Sequence, residues 1–146
     1  MKRILQLLII SVSVLLVLTT CESADENREI TTTPTLDITV GMLQHNVYFY
    51  LNEDVTDEQK EQFEDGLREL LSIEEIFKSE MGVPGNTAER DVTDNTFGYS
   101  IFTWFETMEN YEIYAEHPVH LEFIDTYSDL WAEVKVYDSE LIQTID

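Results

Sequence analysis

The sequence is poor in positive charge. Eight Lys and Arg stand against 30 Asp and Glu in 146 residues, a formal net charge of -22 at pH 7. A surface of that sign repels phosphate backbones, which excludes nucleic acid as a partner. It also leaves no basic patch to hold anionic lipid. Cations and neutral molecules are the more natural ligands. Cysteine is almost missing: Cys21 stands alone, so no internal disulfide can form. The few glycines make no phosphate-cradling loop, because Gly82 and Gly85 flank Pro84 and do not open a helix. Histidine is limited to His45, His117 and His120.

What is present is apolar. Hydrophobic residues make up 43% and aromatics 11%, enough to build a core, so the acidity does not signal disorder. The length suits one modest domain plus a short extra segment.

The extra segment is N-terminal. Met1-Lys2-Arg3 is followed by an apolar run, Ile4 to Leu18, broken only by Gln6, Ser11 and Ser13. A bilayer-spanning helix needs about 20 residues, so this run is short and fits the hydrophobic part of a signal peptide. Leu18-Thr19-Thr20-Cys21 resembles a bacterial lipobox, with Thr20 where Gly, Ala or Ser is usual. The reading is a signal peptide over 1–20, then a lipidated Cys21 and a flexible acidic tether to residue 43. The alternative is an uncleaved membrane helix; a short run ending in the sole Cys favours the lipoprotein. Ala24-Asp25-Glu26 resembles the acidic export signal of surface lipoproteins, or serves as a plain acidic spacer. The expected location is the cell envelope, the membrane partner being held through the lipid.

A domain is expected over 44–146. His45 to Leu51 alternates, Val47, Phe49 and Leu51 on one face and Tyr48 and Tyr50 on the other. Both faces are bulky, so such a strand needs cover on both sides. Thr56-Asp57-Glu58-Gln59 reads as a capping box, and Phe63, Leu67, Leu70 and Leu71 form a helical stripe after it. Ile73 to Met81 reads as a second strand, and 82–96 as a polar loop. Phe97 to Phe105 is the clearest strand. Thr107 caps a short helix through Tyr111 and Tyr114. Pro118 suits the first turn of another helix, with Phe123, Ile124, Tyr127 and Trp131 expected along one face. Val134 to Tyr137 closes as a strand. The order β-α-β-β-α-α-β is an α+β, ferredoxin-like split βαβ fold with its second crossover broken in two. Four strands leave one apolar sheet face open, so two such sheets should pack together.

The segment from His45 to about Leu141 resembles the stress-responsive A/B barrel (Dabb) family. The resemblance rests on His45-x-Val47-x-Phe49, on Phe105-Glu106, on Val136-Tyr137-Asp138, and above all on Tyr114-x-x-His117-Pro118-x-His120. It implies a homodimeric α/β barrel with a pocket between sheet and helices in each subunit. A cyclase of the family takes its catalytic pair from this run. Carried over, that makes Tyr114 a hydrogen-bond donor or acid and His120 a general base. His45 and His117 become pocket-lining or orienting residues. Tyr99 stands where the cyclase has a further pocket histidine.

A structural reading competes. His117 can cap the last helix and His120 can be a core residue bonded to a carbonyl. Two functions therefore stand. One is a module binding an unknown small molecule; the other is a polyketide-cyclase-like enzyme, lyase or isomerase working through His120 and Tyr114. No metal is expected: His117 and His120 are three apart, and neither a His-x-x-x-His pair nor a Cys cluster accompanies them. Tyr48, Tyr50, Phe102, Trp104 and Trp131 are assigned to core and dimer interface rather than to a haem or flavin site, so no cofactor is expected.

Overall fold

A computed structural model of the chain describes residues 37–145. The expected signal peptide, Cys21 and most of the tether lie outside these residues. Seven main elements follow in the expected order: β1 (Leu43–Leu51), α1 (Asp57–Leu70), β2 (Lys78–Gly82), β3 (Tyr99–Phe105), α2 (Met108–Ala115), α3 (Pro118–Tyr127) and β4 (Trp131–Glu140). The strands form one antiparallel sheet in the order β2-β3-β1-β4, the ferredoxin-like arrangement.

Alternation in β1 decides which way the sheet faces. His45, Val47 and Phe49 are buried under the helices, while Gln44, Asn46, Tyr48 and Tyr50 point to the other face. Register carries this across the sheet. Val47 lies opposite Ile101 on β3 and Val136 on β4, and Phe49 lies opposite Tyr99 and Val134. The fold starts slightly before residue 44: Met42 and Leu43 are already buried, and Gly41 enters the strand at φ 90°, a region that glycine occupies without strain.

The capping box at α1 is formed. The Thr56 hydroxyl accepts from the Gln59 N–H, and the Gln59 side chain accepts from the Thr56 N–H. Phe63, Leu67 and Leu70 then point into the core and are essentially solvent-free. Each such burial stabilises by roughly 1.5–3 kcal/mol. Tyr99 belongs to this end of the core: its ring lies 5.4 Å from Phe63, and its hydroxyl donates to Glu64 at 2.9 Å.

Two elements differ most from the sequence reading; β3 also begins at Tyr99 rather than Phe97, and β4 runs Trp131–Glu140 rather than Val134–Tyr137. The second strand is Lys78–Gly82, not Ile73–Met81, because residues 73–77 make the turn that brings the Phe77 N–H to the Trp104 carbonyl. The last helix ends at Tyr127 and a single 3₁₀ turn, Ser128–Leu130, follows. Trp131 is therefore not on the helix face with Phe123 and Tyr127; it is the first residue of β4. Its ring packs against Phe49 and Phe63 on the helix side of the sheet, away from the open face to which Tyr48, Phe102 and Trp104 belong.

The loop between β2 and β3 lies along that open face. Phe97 packs on Tyr48 with centroids 5.1 Å apart, and Asp94 accepts from the Tyr50 hydroxyl at 2.9 Å. The Thr96 hydroxyl and N–H also donate to Asp94, and these bonds hold its carboxyl down at about 2.

Candidate functional site

A cavity of about 280 Å³ lies between the sheet and α3. Val47, Phe49, Ile101, Val134 and Val136 supply its floor from three strands, and Phe123 and Ile124 its roof from α3. The remaining walls are Leu70, Trp131, Tyr114 and His120. Only the last three of those carry polar atoms, so the lining is overwhelmingly apolar.

His120 is held by its own helix junction. Its Nδ1 lies 2.9 Å from the Ala115 carbonyl oxygen. A carbonyl only accepts, so Nδ1 carries the proton and the neutral ring keeps its lone pair on Nε2. Burial lowers the His120 pKa below its usual value, against a smaller upward pull from the Ala115 bond. The ring is therefore neutral near pH 7, with the lone pair left on Nε2.

Tyr114 is buried, and its ring lies 4.7 Å from that of His120. Its hydroxyl makes no hydrogen bond to any described residue, and burial pushes its pKa far up, so it stays a donor at all ordinary pH. A neutral donor and a neutral acceptor thus stand side by side on the cavity wall.

His45 and His120 share no hydrogen bond; the Tyr114 ring packs against both, 6.0 Å from His45 and 4.7 Å from His120. His45 is buried against Phe105, Tyr111 and Tyr114, and its Nδ1 donates to Asp138 Oδ1 at 2.6 Å. Tyr111 is raised by burial first and by the nearby Asp138 charge second. Asp138 was visible in the sequence only as the end of Val136-Tyr137-Asp138. Its pairing with a strand 93 residues away is a tertiary fact.

His117 sits at the start of α3 as its N-cap, where Nδ1 accepts from the Val119 N–H at 3.2 Å. It is not part of the cavity lining, and neither is Tyr99, whose hydroxyl is engaged by Glu64; burial first, and that bond second, push its pKa up to about 12. Cys21 lies outside the described residues. Among the described residues no group of three His, Cys, Asp or Glu is placed to hold a metal ion.

The sequence matches a known family over residues 43–141. The chain belongs to the stress-responsive A/B barrel domain family. Within reach of this Dabb chain is the olivetolic acid cyclase of Cannabis sativa, 23% identical over 96 residues that cover 66% of this chain and 93% of the cyclase. A dimeric ferredoxin-like protein of unknown function from Bacteroides fragilis is 26% identical, with 71% of this chain and all of that one covered and a TM-score of 0.56. The hydroxynitrile lyase of Passiflora edulis shares the fold at 16% identity and a TM-score of 0.62, covering 74% of this chain and all of the lyase. The Dabb fold thus carries enzymes as well as proteins without an assigned activity, and only the site can decide between these for a given member.

Proposed function

We propose that this Dabb protein is an envelope-anchored homodimer that binds a small, largely apolar molecule in the hollow between its sheet and α3. The observation that carries the reading is the cavity itself. It is lined by aliphatic and aromatic side chains and carries, beside His120, a Tyr114 hydroxyl with no partner among the described residues, the pattern of a small-molecule site. The dimer is supported by the open sheet face, where Tyr48 packs edge-on with Phe102 and Tyr137 and none of the described helices lies over them, and by the dimeric relative from Bacteroides fragilis. The anchor is supported by the short apolar run ending at Cys21.

A second reading is catalytic. In this reading His120, with the tautomer set by Ala115, takes a proton on Nε2, and Tyr114 steadies the oxyanion that results; the adjacency of the two rings supports it. The cyclase and lyase relatives make proton transfer next to a carbonyl or cyanohydrin carbon the natural class to assay.

The binding test uses 1-naphthylamine, an uncharged dye small enough for the cavity whose emission shifts to the blue in apolar surroundings. A saturable blue shift, abolished by Val136→Trp at the cavity edge, is the expected result; no shift at millimolar dye sinks the proposal. The anchor is tested separately by labelling cells with a radioactive fatty acid. Label should appear on the chain and vanish in Cys21→Ala.

A further inference from the structure

The cavity also indicates which kind of molecule it accepts, an inference that rests on the binding reading above. Five Lys and Arg fall among the described residues, and none of them lines the cavity. Four are engaged elsewhere. Lys60 pairs with Asp57, Arg68 with Glu64 and Asp65, and Lys78 with Glu80 while lying over Trp104. Lys135 lies over the Tyr50 ring on the open face, beside Asp94 and Glu133. The fifth, Arg90, is in the loop between β2 and β3 and donates to Thr93. A ligand carboxylate entering the cavity would leave water and meet no positive charge, a cost of several kcal/mol.

The polar groups that are present point the same way. Tyr114 offers one hydrogen from a hydroxyl, and His120 offers one lone pair from a neutral ring. Neither balances an anion. The cavity mouth is apolar as well: Ile124 and Val136 line it and remain 42% and 48% exposed. Asp125 follows Ile124 on α3 and is exposed, which repels an approaching anion further.

We infer that the site selects an uncharged, mostly apolar molecule with a single oxygen function, on the order of ten to fifteen non-hydrogen atoms, and rejects carboxylates of the same shape. The oxygen accepts from the Tyr114 hydroxyl. The apolar body lies along Val47, Ile101 and Val136.

Three probes of one shape test this: 4-phenylbutan-2-one, 4-phenylbutanoate and butylbenzene. Each is titrated at pH 7.5 into the full-length chain in nanodiscs, with methyl-labelled Ile and Val read by NMR. The ketone should shift the Ile101 and Val136 methyls and bind at least about tenfold tighter than the carboxylate. In Tyr114→Phe, with an otherwise native methyl spectrum, ketone affinity should fall to that of butylbenzene. A carboxylate binding as tightly as the ketone overturns the charge selection but leaves a binding module standing. Equal binding of ketone and butylbenzene to the unaltered chain overturns oxygen recognition by Tyr114. If none of the three moves the cavity methyls, the binding reading itself fails.

Discussion

His45 and Asp138 stand directly opposite each other on β1 and β4, and the imidazole donates to the carboxylate across 2.6 Å. The ring is buried and the carboxylate side chain is 44% exposed, so the acid comes in from the solvent edge to satisfy a polar group in the core. Removing it leaves the imidazole N–H without a partner. Asp138→Ala should lower stability by about 1–2 kcal/mol in urea unfolding. Asp138→Asn keeps an accepting oxygen and should recover most of that loss. Equal loss in both variants would show that charge, not the hydrogen bond, matters here.

Acid should weaken the fold through His120. Burial lowers its pKa in the folded chain, so the unfolded chain binds the proton more readily. Stability is then fully present above the unfolded value near 6.5 and is lost as pH falls through the window below it. Between pH 7.5 and 5.5 the unfolding midpoint should drop, and His120→Gln should flatten that slope. An unchanged slope in the variant would assign the acid sensitivity to other groups.

Gly66 is fixed by a neighbour rather than by its backbone. A Cβ there would come within 2.3 Å of the Tyr127 ring, which is held in turn by Phe63 and Phe123. Gly to Ala inside a helix normally gains about 1 kcal/mol. Gly66→Ala should instead destabilise, by about 1–3 kcal/mol of overpacking less that gain. In a Tyr127→Val background the sign should reverse, which thermal unfolding of the four proteins would reveal.

The open face should hold two chains together. Tyr137 is 56% exposed there and packs edge-on against Tyr48 at 6.0 Å. Tyr137→Asp places a charge where the partner sheet would lie. Sedimentation at micromolar concentration should show a dimer for the unaltered chain and a monomer for the variant. A monomer in both cases would leave the open face without the occupant assigned to it.

Much of this was legible in the sequence, for local reasons. The capping box at Thr56 and Gln59 depends on residues three apart, and the alternation of β1 on residues two apart, so both survive in a one-dimensional reading. Trp131 misled because its spacing from Phe123 and Tyr127 continues the helical period. Nothing in the sequence announces that the chain turns at Ser128. Hydrophobicity at Ile76 and Phe77 points to a strand there, whereas the edge strand Lys78–Gly82 is mostly polar and is defined only by pairing with β3. Tyr114 and His120 are paired in the sequence only through the family resemblance, on one short run that carries both, and their rings lie 4.7 Å apart. Asp138 was one acid among thirty, and only strand register singles it out.

The break between α2 and α3 has a chemical consequence. In an unbroken helix the Ala115 carbonyl would bond the N–H four residues on, at Val119. Here His117 takes that N–H with its own ring, and the stranded carbonyl falls to His120. One interrupted turn therefore decides which nitrogen of a neighbouring imidazole keeps its lone pair. Pro118, by barring the helix from running on, sets the protonation chemistry of the hollow without touching it.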